Sequence, residues 1–207
     1  MNLSLNQKHI VGSFMTATTL EVEQGKQWYN IARDVCIRIE MEYIHSDVRV
    51  SWQCIAAVIA ALSPNNKWER NIKDAENVIS AFVHGGVEDA MNVKVCTYKK
   101  NLAKAVDILN SCHNKYAELL KGPKITEFYY CIIGVDDLCV DGHAYSVWFG
   151  ERLTMKQVPN IGIKLRKTIK DDYLAATQFI NENSDECFTC YQIQAITWVA
   201  HKRMHNV

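Results

Sequence analysis

The sequence predicts a mainly α fold, and three observations carry that expectation. Only three prolines interrupt the 207 residues, at positions 64, 123 and 159, and each falls at a boundary between segments. Between them, apolar residues recur at three- and four-residue steps over long stretches, the period of a helix with one face buried. There is no internal repeat and no low-complexity segment to suggest a solenoid or a disordered tail.

The first helix is expected over residues 24–44, where Trp28, Ile31, Val35 and Ile39 form one apolar stripe. Residues 50–62 are apolar nearly all round and predict a central helix. Ser63-Pro64-Asn65-Asn66 breaks the chain, and a third helix runs from Trp68 to about Phe82. His84-Gly85-Gly86 should end it, with the glycines as left-handed cap candidates. Residues 98–109 give another amphipathic helix, with Leu102, Ala105, Val106 and Leu109 on one side. A short helix to Leu120 follows, then the turn Lys121-Gly122-Pro123 and a helix over 124–133. Proline suits the first turn of a helix, where the amide it lacks would be unpaired anyway. A loop over 134–140, a helix over 142–149 and a short extended excursion within 154–162 come next. Helices over 170–182 and 191–204 close the chain.

The length suits one mid-sized domain or two intimately packed lobes. Composition is that of an ordered protein, 48% hydrophobic and 22% charged. No apolar run reaches the ~20 residues of a membrane span. With no signal-peptide pattern at the start, a cytoplasmic location is expected. The eight cysteines are scattered through apolar helical contexts and read as reduced core residues. Net charge is zero, from 23 basic and 23 acidic residues, whereas a dedicated duplex binder usually shows a basic excess. Two basic clusters, within 94–104 and 164–170, are either solvated helix faces or phosphate contacts.

The chemistry-bearing segment lies between Leu119 and Leu153. Gly122-Pro123-Lys124 opens one helix, and Asp141, in Val140-Asp141-Gly142-His143, opens another. An amine and a carboxylate at two helix N-termini across one cleft suit attack on an electron-poor sugar carbon. Lys124 must be neutral to add, and the positive end of a helix dipole pushes an ammonium in that direction. Each residue also has a plainer reading, Lys124 as a solvated turn lysine and Asp141 as an N-cap.

These motifs resemble those of the helix-hairpin-helix DNA glycosylases with a Gly-Pro-Asp region, the base-excision superfamily, in its phage-type members. The resemblance covers roughly residues 50–153. Ala60-Ala61-Leu62-Ser63 with the polar residues after it is similar to a superfamily element, and Tyr98 with Lys104-Ala105 and Ile108-Leu109 to another. It implies a two-lobed helical fold spanning residues 1–207, with a cleft between the lobes. It assigns Lys124 as nucleophile, and Asp141 as the carboxylate that steadies an oxocarbenium-like sugar. Asn65 and Asn66 sit where relatives fill the gap left by a flipped base. Gly122, His143, Tyr145 and Trp148 are the remaining substrate-binding candidates, with Trp198 and Tyr129 as further aromatics. His143 also reads as a histidine satisfied by local backbone, and the aromatics as core. Two departures stand out: Leu120 replaces the first hairpin glycine, and Pro123 removes an amide.

No metal or other cofactor is expected. Cys187 and Cys190 fall short of the four cysteines of an iron–sulfur cluster. Cys187-x-x-Cys190 with His201 and His205 imitates a zinc finger. On one helix, however, Cys190 and His201 would lie about 16 Å apart by helical rise, too far to share an ion. The leading expectation is excision of a base from DNA, with strand nicking through a lysine Schiff base. The alternatives are hydrolysis of a free nucleoside or nucleotide, and a non-catalytic protein that binds nucleic acid or a partner.

Overall fold

The computed structural model describes residues 2–111 and 115–205. Cys112 lies outside them. The described residues are mainly helical, in the order α1 (Leu5–Met15), α2 (Thr19–Glu42), α3 (Trp52–Leu62), α4 (Trp68–Met91), α5 (Lys99–Leu109), α6 (Tyr116–Leu120), α7 (Pro123–Ile133), α8 (Gly142–Phe149), α9 (Ile163–Glu182) and α10 (Cys190–His205). Among them there is no strand. Among the described residues no helix is long and apolar enough to cross a membrane. The chain divides into two compact units, 31–133 and the combined segments 1–30 and 134–207. The stretch 50–153 is therefore shared between them, dividing at Ile133–Gly134.

The unit of residues 31–133 is organised by α3. Every residue from Cys54 to Leu62 is buried, and α4, α5, α6 and α7 all pack against this helix. Ile55, Ile59 and Leu62 are fully buried, each worth roughly 1.5–3 kcal/mol relative to exposure. So apolar a helix has no solvent face to offer, which is why four others enclose it. The backbone ends are held by side chains: Ser51 caps α3 by accepting from the Cys54 amide, and Asn71 Nδ2 donates to the Ile59 carbonyl at 3.0 Å. Leu102, Ala105, Val106 and Leu109 are the buried face of α5, as the spacing predicts.

Three expectations need correction. The buried stripe of α2 is Tyr29, Ala32, Cys36 and Ile39, whereas Ile31 is exposed. The face is turned by about one residue, because small Ala32 and Cys36 accept closer neighbours than the larger side chains beside them. Next, α4 does not stop at Gly85-Gly86. Gly86 adopts φ 73°, ψ −159°, and the helix resumes beyond it to Met91, so the glycine makes a kink rather than a cap. Finally, the extended excursion expected within 154–162 makes no strand: residues 155–157 form a turn, and extended backbone is found at Gly162.

Between α6 and α7 lie only Lys121 and Gly122. The left-handed conformation falls on Lys121 (φ 55°, ψ 9°), and Lys104 Nζ donates to the Leu120 carbonyl just before it. A β-carbon in that conformation costs about 1–2 kcal/mol relative to glycine. Lys121→Gly should therefore raise unfolding stability by up to about 1 kcal/mol, read from urea denaturation midpoints.

In the other unit, α1 packs on α8, α9 and α10, and α10 packs on α8 and α9. The core includes Ile10, Val140, Tyr145, Trp148, Ile169, Tyr173, Ile193 and Ile196. Nothing in the apolar spacing announces α1, but its start is written in Ser4-x-x-Gln7. Ser4 Oγ accepts from the Gln7 amide, while Gln7 Oε1 accepts from the Ser4 amide, a complete capping box.

Candidate active site

Asp141 is the N-cap of α8. Its Oδ1 accepts from the amides of His143 and Ala144, both at 2.9 Å. Both bonds end on the same oxygen, which leaves Oδ2 outside the cap. The approach to this residue is pinned from several sides. Val140 is fully buried, and Arg166 of α9 donates to its carbonyl at 3.0 Å. Asp137 Oδ1 accepts from the Leu138 amide and from Lys170, while Asp136 Oδ1 accepts from the Cys190 amide at the start of α10. Asp136 and Asp137 read in the sequence as ordinary loop residues. Here they bind the loop before Asp141 to α9 and α10.

Lys124 occupies the first turn of α7 and is exposed. It belongs to the unit of residues 31–133, and Asp141 to the other. Gly122 is half-buried and does not use a positive φ. The left-handed residue of that turn is Lys121.

Tyr145 and Trp148 go into the core. They are 8% and 9% exposed; Tyr145 stacks on Phe149 with centroids 5.8 Å apart, and Trp148 Nε1 donates to Asp172 Oδ2. Aromatic side chains on a helix followed the commoner outcome of burial, with the indole N–H given a partner. Tyr129, 5% exposed, is buried likewise. Asn65 is exposed in a left-handed turn (φ 58°), and its Nδ2 donates to the Tyr98 hydroxyl. Asn66 Nδ2 donates instead to Asp74 Oδ2, so this side chain is tied down within the fold.

Asp74 was not visible as a special residue in the sequence. It is completely buried, accepting from Arg70, Asn66 and the Cys96 amide. A buried carboxylate is tolerated only with such partners, so Asp74 fixes the turn after α3 that carries both asparagines.

His143 is half-buried, its ring edge-on to Trp198 at 6.0 Å. Nearby, His201 is 6% exposed and packs on His205 with ring centroids 4.3 Å apart. Burial pushes the His201 imidazole down to about 4, and His205, His143 and Arg152 add to the effect as neighbouring positive charges. The sequence offered His201 and His205 only as imitation zinc ligands. They lie near the end of α10, whose first residue is Cys190, as one continuous helix. Among the described residues no group of three His, Cys, Asp or Glu side chains could hold a metal ion.

The neutral His201 has a consequence for stability. In the unfolded chain this group takes up its proton near pH 6.5, and in the folded chain only near pH 4. Its contribution is complete above about pH 6.5 and is lost as pH falls toward 4. Unfolding free energy should fall by up to about 1.4 kcal/mol per pH unit across that window, and His201→Gln should flatten the slope. Denaturant titrations at several pH values check this.

No curated protein and no solved structure matches the chain. Residues 2–205 match the family described as a family of unknown function (DUF7178), and the chain belongs to that family.

Proposed function

We propose that this protein cleaves N-glycosidic bonds, excising a base from DNA in the manner of the helix-hairpin-helix glycosylases its motifs resemble. The observation that supports this most is Asp141, a carboxylate fixed by two amide hydrogen bonds on one oxygen and leaving the other for chemistry. A cap alone needs only the first oxygen. As the glycosidic bond breaks, its electron pair leaves with the base, and the carboxylate steadies the positive charge left on the sugar. In the bifunctional form Lys124, deprotonated, adds its nitrogen lone pair to the anomeric carbon. Ring opening then gives a Schiff base, and loss of the neighbouring C–H proton expels the 3′ phosphate by β-elimination.

The test incubates the protein with modified-base duplexes, single strands and free nucleotides, and identifies released bases by mass spectrometry. Borohydride should trap a covalent adduct that Lys124→Ala abolishes. Cleavage without trapping assigns water as nucleophile, and trapping by the Lys124→Ala variant assigns another amine. If no substrate in the set loses a base, the reading fails.

Hydrolysis of a free nucleotide is favoured by one feature of the turn: Pro123, at the first position of α7, has no amide to offer a strand phosphate. Salt dependence separates the two. Each duplex phosphate neutralised contributes about −0.9 to the slope of log affinity against log salt, so duplex binding is steep and nucleotide binding shallow.

A further inference from the structure

A cavity of about 550 Å³ opens in the unit of residues 31–133 and is lined by neither Asp141 nor Lys124. That volume is in the usual range for small-molecule sites, roughly 300–1,000 Å³. Its walls come from the end of α2 and the following turn, the start of α3, the end of α5 and the start of α6.

Two properties of these walls leave groups open to a ligand. Met41 and Ile44 line the cavity yet remain 57% and 43% exposed, a cost in water that a bound apolar surface would relieve. Arg49 and Glu40 also line it, and among the described residues neither takes part in an ion pair. The contrast with Arg38 is instructive: on the same helix as Glu40, it is bound to both Glu42 and Glu76. Tyr116 is 7% exposed, and its hydroxyl bonds with Ser51 and Cys54, so the interior of the cavity is polar but already satisfied. The groups left to a ligand are a guanidinium, a carboxylate and an apolar wall that includes Val50 and Leu109, with Tyr43 beside them.

We infer that this cavity is a binding site for a heteroaromatic monophosphate of nucleoside-monophosphate size, its phosphate on Arg49 and its ring against Met41, Ile44 and Tyr43. A guanidinium fits phosphate by paired N–H bonds, and the Glu40 carboxylate accepts from ribose hydroxyls or ring N–H groups. A second phosphate would bring more negative charge toward Glu40, so the monophosphate is favoured over the triphosphate. The site is independent of the base-excision reading, since it needs neither proposed catalytic residue.

The experiment is calorimetric titration of the full chain with the purine and pyrimidine nucleoside 5′-monophosphates. The parent nucleosides, the triphosphates and inorganic phosphate are titrated in parallel. At least one monophosphate should bind more tightly than its nucleoside, its triphosphate and phosphate alone. Arg49→Ala should weaken it by about tenfold or more, the loss of one charge-assisted contact. Met41→Trp, at an exposed lining position that tolerates the larger ring, should weaken it similarly by taking up space in the cavity. Circular dichroism checks that both variants fold. The proposal is overturned if no monophosphate binds at about 1 mM, or if affinity is unchanged in either folded variant. Base release from DNA is scored separately and bears only on Asp141 and Lys124.

Discussion

Asp141→Asn should reduce base release by about 10²–10⁴-fold while leaving the fold as stable as the wild type. On the proposed reading the two effects separate, because one side chain would serve two purposes through two oxygens. Oδ1 caps α8, and asparagine caps a helix as well as aspartate does, so the bonds from His143 and Ala144 survive. What asparagine lacks is the negative charge that would steady the sugar cation. Asp141→Ala removes both, and should add a stability loss of about 1 kcal/mol to the loss of activity. Single-turnover base release and thermal unfolding, measured on both variants, decide the matter. An Asn variant that keeps full activity reduces Asp141 to a cap. An Asn variant that loses activity only in step with its fold does the same.

The largest purely structural effect is expected at Gly25. A β-carbon placed there would lie 2.5 Å from both Cα and Cγ1 of Ile196 and 2.6 Å from its backbone nitrogen. Backbone cannot swing aside as a long side chain can, so α2 and α10 would have to move apart in the core. Gly25→Ala gains about 1 kcal/mol of helix propensity, yet should still lose about 1–3 kcal/mol net, as overpacked cores do. Gly12→Ala is the matched control. It is also interior to a helix, but a β-carbon there meets nothing within 4 Å, so the same substitution should stabilise by roughly 0.5–1 kcal/mol. Opposite signs for the two glycines are expected in thermal melts. A stabilised Gly25→Ala variant would mean that the two helices do not approach so closely.

The positions of most helices were legible in the chain, because burying one face of a helix leaves a period that survives in the order of residues. The run Cys54–Leu62 announced a central helix, and Gly142–Phe149 and Pro123–Ile133 started where a cap and a proline said they would. The start of α1 was also present, in a capping box that apolar spacing does not report. Asp141 stood out for a similar local reason: cap, glycine and helix are contiguous, so their geometry is settled by neighbours in sequence.

Other features depend on residues distant in sequence, and only the tertiary structure decided them. Which face of α2 is buried followed from how closely its small residues Ala32 and Cys36 can be approached, not from its largest apolar side chains. Asp74 and Asn66 became one buried polar network through the turn after α3, and Tyr145 and Trp148 became core because α9 and α1 close over α8. His201 reads as a zinc-like motif in one dimension, and in three it is a ring kept neutral chiefly by burial. Gly25 looks like a weak point in a helix until Ile196 is brought against it. The sequence by itself determined most helix boundaries, with the end of α4 and the start of α9 among the exceptions, since caps, prolines and periodicity act within a few residues. Packing partners, buried charge and protonation state were set by the tertiary structure, because desolvation and close contact exist only once distant segments meet.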